Sequence, residues 1–122
     1  FGEASPFRGI FHCSGFSIDL PLADIKRADL EKIAGPKNHA AWWLHERTLG
    51  LPLEVFAVVS SLSADFCMPY MLLYAATNAM LNSFVRYRRS MGLPACALNM
   101  TTLSDVGIVA RDARVRQTQR QT

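Results

Sequence analysis

Three short apolar runs alternate along this chain with two longer stretches in which apolar positions recur at helical spacing. The first run, Arg8-Gly9-Ile10-Phe11-His12-Cys13-Ser14-Gly15, reads as a buried strand closing on a glycine turn, and residues 19–24 read as a loop. Residues 28–48 read as helix, with Trp42, Trp43 and Leu44 on the buried side. Gly35-Pro36 predicts a break or restart there, because proline suits a first helical turn and disrupts an interior. The unbroken run Val55 to Ser60 has the pattern of a strand covered on both faces. Residues 70–91 predict a second helix, with Arg86, Arg88 and Arg89 in its last turns and Gly92 as its stop. Pro94 to Met100 supplies the third strand. Strand, helix, strand, helix, strand predicts an α/β fold with right-handed crossovers.

Composition narrows the class. Half of the 122 residues are hydrophobic, enough for a real core in one domain or part of one. The apolar stretches around 51–62 and 66–76 are interrupted by Glu54, Ser60, Ser61 and Pro69. They fall short of the roughly 20 residues a membrane helix needs, so no membrane segment is expected. Residues 1–7 show no basic region followed by an apolar core, so no signal peptide is visible, and Phe1 is not an initiator methionine. Cys13, Cys67 and Cys96 form no CxxC pair and have no histidine at metal-ligand spacing; reduced, partly buried thiols in a cytoplasmic setting and no metal are expected. The net charge of +3 is carried by the last twelve residues, where four arginines stand against Asp112. Residues 112–122 therefore read as a basic, disordered tail on a body, residues 1–111, that is neutral up to Arg111; without interleaved aromatics, nucleic-acid binding is not expected.

Four polar residues stand out against this frame. Tyr74 and Asn78 lie one helical turn apart, so a phenol and an amide project from one face. Ser61 follows the apolar strand, and open parallel sheets bind ligands at such carboxyl ends. Lys37 can supply a cation, which favours the ionised form of a neighbouring phenol. Taken singly, each residue has an ordinary surface or core explanation. His12, His39 and His45 read as hydrogen-bonded core residues rather than bases, and Met68, Met71, Met80 and Met100 as packing.

The ordered set of segments is more specific. It comprises Gly9-Ile10-Phe11-His12 running to Gly15, Pro36-Lys37 ahead of Trp43-Leu44-His45-Glu46, and Phe56 to Ser61 ending in two serines. Tyr74-Ala75-Ala76-Thr77-Asn78-Ala79, Arg88-Arg89 before Gly92-Leu93-Pro94, and Asp105-Val106-Gly107 follow in order. From Arg8 to Arg111 the chain resembles the ketoreductase domain of polyketide synthases and animal-type fatty acid synthases, within the short-chain dehydrogenase/reductase superfamily. The resemblance covers about the second half of that catalytic domain. It implies a partial Rossmann-like, three-layer α/β fold, the second half of a parallel sheet with flanking helices.

The resemblance further implies NADPH-dependent reduction of a β-ketothioester, bound to an acyl carrier protein, to a β-hydroxythioester inside a multidomain synthase. Tyr74 matches the tyrosine that protonates the nascent alkoxide, Ser61 the hydroxyl bonded to the substrate carbonyl, Lys37 the cation beside the tyrosine, and Asn78 its polar partner. Most of the superfamily carries the lysine four residues after the tyrosine; Asn78 in that place, with the lysine earlier, is the ketoreductase-domain arrangement. Gly15, Thr101 and Thr102 are the candidate cofactor contacts, the threonines standing where the family commonly has a glycine, often followed by proline. Asp19, Phe66 and Met71 are the candidate substrate-loop residues. Asp19 matches one acid of a loop motif tied to one stereochemical class, and Phe66 stands where the opposite class carries tryptophan. Pro69 to Leu73 departs from the family's usual Gly-Gln and asparagine, and no GxGxxG occurs in these 122 residues. The alternative reading is a non-catalytic truncated remnant or an interaction piece of a synthase.

Overall fold

A computed structural model describes residues 7–101. Strands β1 (Gly9–His12), β2 (Val55–Ser61) and β3 (Cys96–Met100) form one parallel sheet in the order β1-β2-β3. Register sets Ile10 beside Phe56, His12 beside Val58, and Val58 beside Ala97. Parallel neighbours require a crossover between them. The first crossover carries α1 (Arg27–Ala34) and α2 (Ala40–Thr48), and the second carries α3 (Leu72–Ser90).

Alternation along the strands decides where the core lies. Ile10, Phe56 and Val58 point to one face and pack with Ala41, Leu81, Phe84 and Val85 from the helices. Full burial of each large apolar side chain contributes about 1.5–3 kcal/mol. The opposite face carries Phe11, which is 72% exposed, together with Val55, Leu98 and Met100, all exposed. The described residues thus supply two layers; within β2, the strand expected to be covered on both faces, Ala57 on the second face is buried and Val59 half-buried, while Val55 is exposed.

The break expected at Gly35-Pro36 is a π-turn, Gly35–His39, that joins α1 to α2 without ending the helix. Pro36 has no N–H to continue the i→i−4 ladder, and a wider turn absorbs the defect. α3 ends as its glycine predicts: Gly92 has φ +74°, and the Gly92 and Leu93 N–H groups donate to the Arg89 and Arg88 carbonyls.

Several expectations about burial fail. α2 buries Ala41, His45 and Thr48, whereas Trp42 and Trp43 are exposed and only Leu44 packs partly against the core. The reason is a polar knot beneath them. Arg88 is fully buried, donates from Nη1 to His45 Nδ1 at 2.7 Å and from Nε and Nη2 to the Pro94 carbonyl, and lies with Cζ 4.0 Å from the Phe56 ring centroid. Trp42 covers this knot from outside, stacking on Tyr87. His39 is exposed, not a core residue. Cys13, Cys67 and Cys96 are free and exposed rather than partly buried: the first two lie in loops, and Cys96 opens β3, an edge strand among the described residues. Met68, Met80 and Met100 are likewise exposed.

Candidate active site

The π-turn turns Lys37 inward. The residue is only 4% exposed, and its Nζ lies 5.1 Å from the centroid of the Tyr74 ring on α3. A cation over a ring face is attracted by about 0.5–1 kcal/mol at exposed sites and by about 2 or more where water is excluded. Burial pushes the Lys37 ammonium below the ordinary lysine range. The backbone of Lys37 is held from β1: His12 Nε2 donates to the Lys37 carbonyl at 2.7 Å. Gly15, just beyond β1, has φ +152°, and a Cβ built on it would stand 3.3 Å from both Cδ and Nζ of Lys37.

Ser61 closes β2 and caps the short turn Leu62–Ala64, its Oγ accepting the Ser63 N–H at 3.1 Å. One lone pair is thereby engaged, and the hydroxyl proton remains available to donate. The serines on either side tie this strand end to α3. Ser60 Oγ donates to the Asn78 carbonyl at 3.2 Å, and Asn78 Nδ2 makes a long 3.5 Å contact to Ser63 Oγ. Asn78 is fully buried, and its Nδ2 also donates to the Tyr74 carbonyl at 2.9 Å. The Asn78 amide nitrogen is therefore spent on the strand end and the first turn of α3, not turned outward with the phenol. Its Oδ1 has no partner among the described residues, and the same holds for Asn38 Oδ1, whose Nδ2 donates to the Thr77 carbonyl at 2.8 Å.

The loops beside this cluster are joined by one backbone bond, Leu20 N–H to the Tyr70 carbonyl at 2.9 Å. Tyr70 has φ +66°, an uncommon conformation for a side chain of its size. Asp19 accepts a hydrogen bond from Ser17 in the same loop. Phe66 is 73% exposed, Leu62, Met68, Tyr70 and Leu72 are exposed around it, and Met71 precedes the first turn of α3 at intermediate exposure. Thr101 follows β3 and is exposed; Thr102, Asp105 to Gly107 and the 112–122 tail lie outside the described residues.

Two open clefts, about 380 and about 220 Å³, lie elsewhere, the first lined by Asp65, Asn82, Arg86 and Arg89 and the second by Trp42, Met80, Phe84 and Tyr87. Neither is lined by Lys37, Ser61, Tyr74 or Asn78. Among the described residues, no group of three or more His, Cys, Asp or Glu could hold a metal ion, and no helix is long and apolar enough to cross a membrane.

Of the sequence-predicted set, Lys37 and Tyr74 meet directly, Asn78 supports Tyr74 from behind, and Ser61 sits between the two serines bonded to Asn78. Gly15 joins them through its contact with Lys37. Sequence reasoning missed that the core hydrogen bond of His12 ends on the carbonyl of Lys37; a polar residue facing the core side of an apolar strand was the available signal.

The KR domain family model matches residues 2–105. A hybrid PKS-NRPS synthetase of Aspergillus violaceofuscus is 38% identical over 109 residues, 89% of this chain and 3% of that protein. A phthioceranic/hydroxyphthioceranic acid synthase of Mycobacterium tuberculosis is 39% identical over 102 residues, 84% of this chain and 5% of that protein. Among solved structures, A-type ketoreductases from a modular polyketide synthase superpose with TM-score 0.88 at 36% identity, covering 95% of this chain and 24% of theirs. A ketoreductase from the first module of phoslactomycin biosynthesis, from a Streptomyces species, gives TM-score 0.84 at 26% identity, covering 94% of this chain and 26% of that one. The chain thus spans a few per cent of these synthases and about a quarter of the solved ketoreductase chains.

Proposed function

The chain belongs to the KR domain family, and from that membership we propose that it carries the catalytic residues for NADPH-dependent reduction of a carrier-bound β-ketoacyl thioester to a β-hydroxyacyl thioester. The reaction takes place within a multidomain synthase. The observation that carries this reading is the buried Lys37 ammonium over the Tyr74 ring, with Asn78 tying the Tyr74 turn to the strand end that carries Ser61. Burying an ammonium costs free energy, and perturbed cations of this kind cluster at functional sites.

Each residue has a task that follows from its contacts. Ser61, with one lone pair taken by the Ser63 N–H, donates its hydroxyl proton to the substrate carbonyl and orients it. Tyr74 gives its phenolic proton to the oxygen that becomes the alcohol. Lys37 stabilises the phenolate left behind, an attraction strengthened by exclusion of water. Asn78 fixes the first turn of α3 through the Tyr74 carbonyl, and so fixes where the phenol stands.

The donor set fits one end of a dinucleotide. A cation over a phenol ring, a hydroxyl at the end of β2, and Gly15 after β1 with Thr101 after β3 are groups suited to the end of an open parallel sheet where such ligands bind. When bound, the cofactor supplies the hydride. A glycine-rich phosphate loop is not among these 122 residues, so its pyrophosphate is assigned to the remainder of the domain. The test is NADPH consumption by a complete ketoreductase domain containing this chain, with a β-ketoacyl thioester as substrate. The expected product is the β-hydroxyacyl thioester, and consumption unlinked to that product contradicts the reading.

A further inference from the structure

We propose that His12 and Gly15 are positioning residues for Lys37: together they set where its ammonium stands relative to Tyr74. This inference rests on the catalytic reading of Lys37 given above. Neither residue touches the reacting atoms; both act through the lysine.

A π-turn inserts one residue into a helix, and successive helical residues are rotated by about 100°, so the direction of Lys37 depends on the turn being held open. Closing it to α-helical spacing would redirect the lysine side chain. His12 biases that choice from another element. Its Nε2 donates at 2.7 Å to the carbonyl of Lys37 itself, within the π-turn, and the donor is only 5% exposed. Such a bond in a dry site cannot be exchanged for water at no cost. A histidine serving only to fill the core needs some acceptor; this one holds the backbone of the residue whose side chain reaches Tyr74.

Gly15 acts on the other end of the same side chain. It lies three residues after His12, and its missing Cβ leaves room for Lys37: a methyl group there would come within 3.3 Å of Cδ and Nζ. The φ of +152° further disfavours any residue with a side chain. The lysine stem therefore runs between the backbone of Gly15 and the ring of Tyr74, clamped at its carbonyl by His12. One short segment, His12 to Gly15, supplies both constraints.

The experiment compares His12→Leu, His12→Gln and Gly15→Ala in a complete ketoreductase domain containing this chain, with Lys37→Met as reference. Two quantities are read: the kcat and KM values for thioester and NADPH, and the titration midpoint of Lys37 from NMR of isotopically labelled lysine. His12→Leu and Gly15→Ala are expected to lower kcat by about tenfold or more with KM values within about twofold, the signature of a misplaced group. The Lys37 midpoint should rise towards the ordinary lysine value as the ammonium gains water. His12→Gln, which keeps a donor at similar reach, should recover most of both. An unmoved Lys37 midpoint overturns the inference, whether or not kcat falls, because a merely structural role lowers stability without moving that midpoint. If His12→Leu does not fold, Gly15→Ala and His12→Gln decide the matter alone. Full activity in Lys37→Met would instead sink the catalytic reading of Lys37, an outcome distinguishable from failure of the positioning claim.

Discussion

Lys37 and Tyr74, carried by different helical segments and thirty-seven residues apart, meet with the ammonium 5.1 Å from the ring centroid. Two elements must be packed correctly before this pair exists. The pair therefore links the fold to the chemistry.

Replacing the lysine should separate activity from stability. Lys37→Met retains the apolar stem and removes an ammonium whose pKa is lowered by burial. Below that lowered value the folded state bears the cost of a desolvated charge, so the variant should melt above the parent at pH 7. Its kcat should fall by about a hundredfold, the scale of a lost positioned group. Thermal melts run beside NADPH-oxidation assays check both halves; a variant losing stability and keeping turnover would contradict the assignment.

Ser61→Ala should behave differently. The Oγ that caps the Ser63 N–H disappears, at a cost of about 1 kcal/mol typical of a lost cap. The proton donated to the substrate carbonyl disappears with it, and kcat should fall by about 10²–10³, as when one donor to a developing oxyanion is removed. Steady-state kinetics with denaturant unfolding separate the two losses. A stability loss without a kinetic one would make Ser61 a turn residue only.

Acid should loosen the knot between α2 and α3. His45 is held below the ordinary histidine value of 6.5 by burial first and by Arg88 second, with Glu46 opposing. Nδ1 accepts from Arg88 only when unprotonated. Because the folded-state pKa is depressed, this contribution to stability is complete above about 6.5. It is lost as pH falls through the folded value. Denaturant midpoints of the complete domain between pH 8 and pH 5 should decline, and His45→Gln should flatten that decline. An equally steep decline in the variant would place the acid sensitivity elsewhere.

Much of this arrangement was legible in the sequence. The β2 run and the α3 period are strong local signals, so Ser61 at a strand end and Tyr74 with Asn78 on one helix were placed correctly, with boundaries off by a residue or two. The ordered segments also carried the family, which the KR domain match bears out. Lys37 was harder, because its burial depends on a π-turn that Pro36 announces only as a defect. The Trp42 and Trp43 reading failed for a related reason. Hydrophobicity ranks both tryptophans above His45, but the core-facing stripe of α2 is set by the buried Arg88, a partner forty-three residues from His45 that no local pattern reveals.

The proposed chemistry turns on the hydroxyl of Tyr74. In a complete ketoreductase domain containing this chain, NADPH oxidation with a β-ketoacyl thioester should be compared between Tyr74→Phe and the parent. The substitution removes one hydroxyl and keeps the ring under Lys37. Turnover should fall by about a hundredfold or more, the weight of a positioned proton donor, with the melting temperature unchanged. Turnover within a fewfold of the parent would contradict the role assigned to Tyr74, and with it the catalytic site.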